Sequence, residues 1–191
     1  MPEYPEEIDG ETIFEGHVFA VRRGRYRRAG GAEVQRDVVL SSGAVAVVAY
    51  DDRHVYLVRQ PREAIERSDV LELPAGRLDV EGEAPLATAQ RELAEEIGMA
   101  ADAWLHATTY FSSVGFTNEE VSIFLATGLS PADAQGTREA GGAAHEDEEI
   151  EIVPWPLDEL DGAIDAAVDA KTLVGLLWLR RAREAGGATG T

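Results

Sequence analysis

Residues 76–99, "GRLDVEGEAPLATAQRELAEEIGM", combine a glycine-bearing loop, a helix and a cluster of carboxylates. Pro85 suits the first turn of a helix and Gly98 suits its C-terminal stop, so one helix is predicted after the loop. Three carboxylates crowd its last turns: Glu92, Glu95 and Glu96. Residues three and four apart share a helix face, so these carboxylates project together. Leu93 and Ile97 take the face that we expect to pack against a core.

Three like charges on one helix face need compensation. Each such pair destabilises an isolated helix by roughly 0.2–0.5 kcal/mol, and carboxylates near the C-terminal end also oppose the helix dipole. Arg91 can cover one carboxylate, while a divalent cation that prefers oxygen ligands would neutralise the set. The absence of Cys and the four scattered His favour Mg²⁺ or Mn²⁺ over Zn²⁺. On helix geometry alone, a solvated acidic face is the alternative.

Length and composition favour one soluble domain. With 191 residues, 45% of them hydrophobic, the chain can bury one core with at most a small appendage. Without Cys, nothing ties it to an oxidising compartment, so we expect a cytoplasmic protein. No apolar run approaches the roughly 18 residues that a membrane span needs, so no membrane partner is expected.

The charge of the chain argues against nucleic acid as a partner. The formal net charge is −19, and Lys171 is the only lysine among 17 basic residues. Nucleic-acid binding draws its affinity from the neutralisation of phosphates, which an acidic surface opposes. Either a solvated surface suited to high salt or a local cation-binding cluster explains the acidity. The one basic cluster, residues 22–28, "RRGRYRR", could meet phosphate, an acidic partner or only solvent.

The rest of the chain alternates short strands with a few helices. Residues 11–40 predict a hairpin with an Ala-Gly-Gly turn. Further strands are predicted at 44–50, 54–60, 70–76, 104–111, 120–129 and 150–155. Helices are predicted at 157–164 and 170–184, the second with a packing stripe of Leu173, Leu176, Leu177 and Leu179. The 20-residue polar loop 130–149 invites a functional interpretation.

The block 76–99 resembles the Nudix box, the signature of hydrolases that act on a nucleoside diphosphate linked to another group. The matching positions are Gly76, Glu83, Arg91, Glu92, Leu93, Glu95, Glu96, Gly98 and Met99. Six residues separate Gly76 from Glu83 where the family usually has five, and we expect the loop to absorb the extra one. The resemblance implies an α/β fold: an α/β/α sandwich around a mixed sheet, with a small N-terminal β-hairpin or sheet.

The same resemblance implies a metal site and a catalytic mechanism. It assigns Glu92, Glu95, Glu96 and the Ala75 carbonyl to Mg²⁺, with Mn²⁺ possible, and it pairs Arg91 with the first Glu of the box. Glu95 and Arg91 thereby count among the catalytic residues. Mg²⁺ keeps several waters and bridges phosphate oxygens, so the implied reaction is hydrolysis of a pyrophosphate bond.

Segments outside the box resemble the ADP-ribose pyrophosphatase branch, which forms AMP and ribose 5-phosphate. They are "FEGHVFAVRR" at 14–23, "VRQPR" at 58–62, "LELPAG" at 71–76, "GFTNE" at 115–119 and "HEDEEIEIV" at 145–153. The resemblance implies that Arg62, Arg59 and Glu72 bind substrate. It aligns Glu146 with the loop carboxylate that activates water, with Glu148 and Glu149 as competitors for that role.

The branch also implies a homodimer. Residues 1–40 would form an N-terminal β region exchanged across it, residues 41–184 the Nudix hydrolase domain, and residues 185–191 a disordered tail. Two other functions stay open: hydrolysis of another nucleotide, such as an oxidised nucleoside triphosphate or a dinucleoside polyphosphate, and a sensor that binds ADP-ribose without cleaving it.

Overall fold

The computed structural model describes residues 5–132 and 150–187 and divides them into two compact units. The first contains the described residues of Met1–Gly43 together with Tyr110–Glu120, and the second contains those of Ala44–Thr109 and Val121–Thr191. Segment 110–120 thus belongs with the N-terminal strands although it lies far from them in sequence. The predicted division at residues 40 and 184 stays a prediction.

The first unit is built on a three-stranded antiparallel sheet, in the order β1-β2-β3. Its strands are β1 (Glu6–Glu15), β2 (Ala20–Arg27) and β3 (Glu33–Leu40). The turn between β2 and β3 contains the predicted Ala-Gly-Gly, closed by a hydrogen bond from the Gly31 amide to the Arg28 carbonyl. Strand β1 extends the predicted hairpin to a sheet, because the polar run from Glu6 pairs with β2.

The arginines of the basic cluster are paired within this sheet. Acidic residues of β1 and β3 lie opposite the arginines of β2, and the ion pairs are Arg22–Glu7, Arg23–Asp37, Arg25–Asp9, Arg25–Glu33, Arg27–Glu6 and Arg27–Glu33. Opposite charges across neighbouring strands stabilise a sheet. Most of the cluster is therefore neutralised by its neighbours, which favours the solvated alternative over a phosphate site.

The second unit contains a mixed seven-stranded sheet. Its strands are β4 (Ala44–Tyr50), β5 (His54–Arg62), β6 (Arg67–Glu72), β7 (Ala75–Arg77), β8 (Met99–Phe111), β9 (Glu120–Pro131) and β10 (Glu151–Pro156). The order is β10-β5-β4-β9-β8, with β6 beside β5 and β7 beside β4. β4 and β9 are parallel, whereas β4 pairs antiparallel with β5 and β7.

Helices cover both faces of this sheet. They are α1 (Pro85–Ile97), α2 (Leu160–Ala166) and α3 (Ala170–Gly187), with short 3₁₀ turns at Glu63–Ile65 and Leu157–Glu159. Val45 and Val47 of β4 share a buried cluster with Leu93 of α1. Val48 points to the other face, where a Cβ on Gly175 of α3 would lie 2.9 Å from its Cγ2. Alternate β4 side chains thus pack on different helices, which confirms the predicted α/β/α sandwich with a mixed sheet.

Helix α3 differs from its prediction in the residues that form its buried face and in its length. Leu176 and Leu179 are fully buried, but Leu173 and Leu177 of the predicted stripe are partly exposed. The buried face instead includes Thr172, because positions 172, 176 and 179 follow the helical repeat. The helix runs to Gly187, into the predicted tail, and residues 188–191 lie outside the described residues. None of the described helices is long and apolar enough to cross a membrane.

Candidate active site

Helix α1 carries the carboxylates and is anchored by its apolar face. It begins with Pro85 after an extended Ala84 and ends at Ile97, capped by Gly98, whose φ of 67° lies in the left-handed region that glycine tolerates. Leu93 and Ile97 are buried in the core cluster, as predicted. Their burial fixes the rotation of the helix, so the positions between them must face away from the core.

Arg91 gathers three carboxylates. Its Nη1 lies 2.8 Å from Glu92 Oε1 and 2.9 Å from Glu95 Oε2, while Nη2 lies 3.4 Å from Glu83 Oε2. The resemblance pairs Arg91 with Glu83, whereas the helix spacing alone predicted compensation of one carboxylate. The guanidinium reaches all three because Glu95 lies one helical turn away on the same face, Glu92 is the next residue, and the loop brings Glu83 alongside.

The guanidinium is nearly buried, with a side chain only 11% exposed. Burial by itself would lower the pKa of Arg91, but the charge of Glu92 and hydrogen bonds to Glu83 and Glu95 outweigh it and raise that pKa above its ordinary value. The Arg91 Nε is buried and has no hydrogen-bond partner among the described residues. Arg91 is therefore a permanent cation at the centre of the acidic cluster.

Thr88 is a further member of this group that was not predicted. Its side chain is fully buried, and its Oγ1 donates a hydrogen bond of 2.8 Å to Glu83 Oε2. Thr88 lies three residues before Arg91, on the same face of α1, and this spacing was the signal available in the sequence. The hydroxyl orients the carboxylate that Arg91 contacts.

The loop after β6 meets the helix at two points. The Ala75 amide donates a hydrogen bond of 3.0 Å to Glu96 Oε2. A Cβ on Gly76 would lie 2.0 Å from Glu92 Oε1, so only glycine allows the backbone to pass this close to the carboxylate. Strand β7 and helix α1 thus place the predicted metal ligands side by side.

The donor chemistry of this cluster suits a hard divalent cation. The candidate ligands are the carboxylates of Glu92, Glu95 and Glu96 and the carbonyl of Ala75, all of them oxygen donors. In the part of the chain that the structure describes, no three His, Asp or Glu side chains are arranged around a common point as ligands would be. Arg91 and the Ala75 amide engage the carboxylates instead.

A second charged cluster contains two of the predicted substrate-binding residues. Glu72 is only 1% exposed, and Arg62 grips its carboxylate with two hydrogen bonds, from Nε at 2.5 Å and from Nη2 at 2.8 Å. The Lys171 Nζ donates to Oε2 of the same carboxylate at 2.5 Å. Burial raises the pKa of Glu72, but the hydrogen bond from Arg62 and the charge of Lys171 outweigh it and hold that pKa below its ordinary range.

Lys171 was not among the predicted site residues. It lies at the start of α3, where it also approaches Asp169 Oδ2 at 3.1 Å. The sequence feature that could have pointed to Lys171 is that it is the only lysine of the chain. The contact could not be predicted from the sequence, because 99 residues separate Lys171 from Glu72.

Among the described residues, the predicted substrate contact Arg59 belongs to neither cluster. Arg59 pairs with Glu151 on the neighbouring strand β10, with its Nη1 at 3.0 Å from Glu151 Oε2. Glu146, Glu148 and Glu149, the candidates for activating water, lie outside the described residues.

Comparison with known proteins gives consistent matches over most of the chain. Residues 41–174 match the family model described as the NUDIX domain. The chain is 42% identical over 157 residues to ADP-ribose pyrophosphatase of Mycobacterium tuberculosis (strain ATCC 25618 / H37Rv), covering 81% of this chain and 72% of the relative. It is 35% identical over 176 residues to ADP-ribose pyrophosphatase of Bacillus subtilis (strain 168), covering 91% of each. A solved structure named an ADP compounds hydrolase has the same fold, with a TM-score of 0.83 and 22% identity over 98% of each chain.

Proposed function

The chain belongs to the NUDIX family and is a Nudix pyrophosphatase, and from that premise we propose that it hydrolyses the pyrophosphate bond of ADP-ribose or a related ADP-sugar. The observation that carries the proposal is the convergence of Glu83, Glu92 and Glu95 on Arg91, beside the loop that contains Ala75 and Gly76. Two relatives named ADP-ribose pyrophosphatase support the choice of substrate.

The proposed cofactor is Mg²⁺, with Mn²⁺ as a second candidate. Glu92, Glu95, Glu96 and the Ala75 carbonyl would hold it, because carboxylate and carbonyl oxygens are the ligands that both ions prefer. Such a cation would supply Lewis acidity toward the diphosphate and lower the pKa of water. Arg91 orients Glu92 and Glu95, since it binds both with the same nitrogen.

The proposed reaction is attack by water on one phosphorus atom of the diphosphate. The water oxygen bonds to phosphorus, the bridging P–O bond breaks, and AMP and ribose 5-phosphate leave. Glu146 is the proposed acceptor of the water proton, as the resemblance implies, with Glu148 and Glu149 as alternatives. A group on a loop can accept this proton only when the loop brings it within hydrogen-bond reach of the water.

Arg62 is the proposed grip on the diphosphate, as the resemblance implies. Its side chain is 40% exposed although two of its nitrogens are held by Glu72. A guanidinium presents its N–H donors in a planar fork that matches the geometry of phosphate oxygens. Glu72 is buried and contacts Arg62 and Lys171, so we assign it an indirect role in binding. Arg59, which pairs with Glu151, is a further proposed contact.

We also propose a homodimer and a cytoplasmic location. Ile13, Phe14, Val18 and Phe19, around the turn between β1 and β2, are large apolar side chains that are each more than 40% exposed. Such a patch marks an interaction surface, and a second copy of this chain is the proposed partner. Light scattering on the purified protein tests the stoichiometry, and a monomer at micromolar concentration would contradict the dimer.

The function is tested by incubating the protein with Mg²⁺ or EDTA and each of five substrates, and by resolving the products chromatographically. The substrates are ADP-ribose, an ADP-hexose, GDP-mannose, a dinucleoside polyphosphate and 8-oxo-dGTP. We expect AMP from ADP-ribose only with the metal, at a kcat/KM well above that for the other substrates. Glu92→Gln should lower kcat by about two orders of magnitude.

Each other outcome has a defined meaning. Preferred cleavage of a different substrate would discard ADP-ribose while keeping the family chemistry. Binding of ADP-ribose without turnover in the presence of metal would favour the sensor. Wild-type turnover by Glu92→Gln would contradict the metal assignment.

A further inference from the structure

Glu72 lies between two cations that come from distant parts of the chain. Arg62 is on β5, Glu72 is the last residue of β6, and Lys171 is in the first turn of α3. Arg62 donates to both carboxylate oxygens, and Lys171 donates to Oε2. Lys171 also pairs with Asp169, so positive and negative charges alternate through all four residues. We call Arg62, Glu72, Lys171 and Asp169 the ion chain.

Lys171 is placed by a rigid framework. The Asp169 carboxylate caps α3 by accepting hydrogen bonds from the Thr172 amide at 3.0 Å and the Thr172 hydroxyl at 2.7 Å. The Thr172 hydroxyl accepts in turn from the Leu73 amide at 2.9 Å, and both Leu73 and Thr172 are fully buried. The start of α3 is therefore fixed to the residue directly after Glu72. The Lys171 side chain is 17% exposed and pairs with both Glu72 and Asp169.

Because Glu72 is buried, the presence of a second cation, Lys171, matters. A carboxylate removed from water is stable only when its charge is compensated and its oxygens are hydrogen-bonded. Two cations compensate Glu72, so Arg62 does not carry this task alone. With Lys171 neutral, the ion chain would change from two positive and two negative groups to one positive and two negative. Arg62 would then be the only cation that pairs with Glu72 among the described residues. The guanidinium of Arg62 would then attract an external anion less strongly.

We propose that Lys171 is a positioning residue for substrate binding: by sharing the buried Glu72 with Arg62, it holds the Arg62 guanidinium in place and leaves its charge available to the diphosphate of the substrate. This inference rests on the proposed function, in which Arg62 grips that diphosphate. It assigns a binding role to the start of α3, which lies outside the sequence stretches that resemble the pyrophosphatase branch.

The test compares three single variants with wild type in steady-state kinetics with ADP-ribose and Mg²⁺. Lys171→Met removes the charge and keeps the aliphatic chain, and Lys171→Arg keeps the charge. Arg180→Met is the matched control, because Arg180 is a cation of the same helix whose pair with Asp161 is exposed. We expect Lys171→Met to raise KM about tenfold with kcat changed less than about threefold, since the chemical groups are untouched. Lys171→Arg should recover most of the loss, and Arg180→Met should match wild type.

A double-mutant cycle with Arg62→Gln separates positioning from a general loss of structure. If Lys171 acts through Arg62, adding Lys171→Met to Arg62→Gln should raise KM by less than about twofold, because coupled residues are not additive. Full additivity, or a wild-type KM in Lys171→Met together with a lower unfolding temperature, would overturn the inference and leave Lys171 a structural role.

Because the chain has a single lysine, labelling with ¹⁵N-lysine gives one side-chain ammonium signal, which reports on the ion chain without substrate. Arg62→Gln should shift this signal and speed its hydrogen exchange, whereas Arg180→Met should not. An unchanged signal in Arg62→Gln would also overturn the inference, even if Lys171→Met fails to fold. Failure of wild type to cleave ADP-ribose would instead defeat the proposed function and leave the ammonium measurement valid.

Discussion

Adding one methyl group at Gly76 should disable the candidate metal site. The Cβ of Gly76→Ala would lie 2.0 Å from Glu92 Oε1 and from Glu92 Cδ, whereas ordinary contacts begin at 3.4 Å. The carboxylate must therefore retreat by about 1.4 Å, from 2.0 to 3.4 Å, or the backbone must move. A displacement of about 1 Å in a reacting constellation can cost 10²-fold in rate, so we expect kcat to fall by about two orders of magnitude.

The same displacement should lower stability moderately. Glu92 would lose its 2.8 Å ion pair with Arg91, and overpacking of a well-packed site typically costs about 1–3 kcal/mol. The free energy of unfolding, measured by urea denaturation, should fall within that range. The assay for activity is metal-dependent release of AMP from ADP-ribose, with protein concentration corrected for the folded fraction.

Gly162→Ala is the matched control. Gly162 lies in α2, and a Cβ there would meet only the Trp155 ring at 3.6 Å, an ordinary contact. Alanine is the better helix former by about 0.5–1 kcal/mol, so this variant should keep wild-type activity and lose no stability. A Gly76→Ala enzyme with wild-type kcat and unchanged unfolding would refute the close approach of the loop to Glu92.

Three further predictions concern stability. Leu93→Ala should lower the free energy of unfolding, measured in urea, by about 2–5 kcal/mol, because Leu93 is fully buried. Leu86→Ala, on the exposed side of the same helix, should lower it by less than about 0.5 kcal/mol. Equal losses of stability would contradict the assigned core face. The pKa of Glu72 is below its ordinary 4.5 in the folded protein, so its ionised form contributes stability above about pH 4.5, and that contribution disappears as the pH falls through the folded pKa. The stability difference between wild type and Glu72→Gln should therefore be constant near neutral pH and narrow below about pH 4.5, and a difference independent of pH would count against the ionised state. Thermal unfolding should shift upward in molar KCl, because salt screens the repulsion within a chain of net charge −19; a midpoint that ignores KCl would exclude adaptation to high salt.

The local features of the box could be predicted because they depend on near neighbours. The start and end of α1, its buried face and the crowding of carboxylates follow from Pro85, Gly98 and a repeat of 3.6 residues. Most strands of the second unit followed similarly from short apolar runs, but the predicted strand 70–76 divides into β6 and β7. The additional strand β1 was less visible, because its residues from Glu6 are polar and draw their stability from pairing with the arginines of β2.

The sequence by itself determined the family, the sandwich and the identity of the acidic cluster, because each depends on residue types at short, regular spacing. Only the tertiary structure decided which charges meet over long distances. It placed Arg91 against three carboxylates instead of one, paired most of the basic cluster internally, and brought Lys171 to Glu72 across 99 residues. Such contacts depend on how strands and helices pack, and the pairing of buried charges is set by that packing rather than by any repeat in the chain.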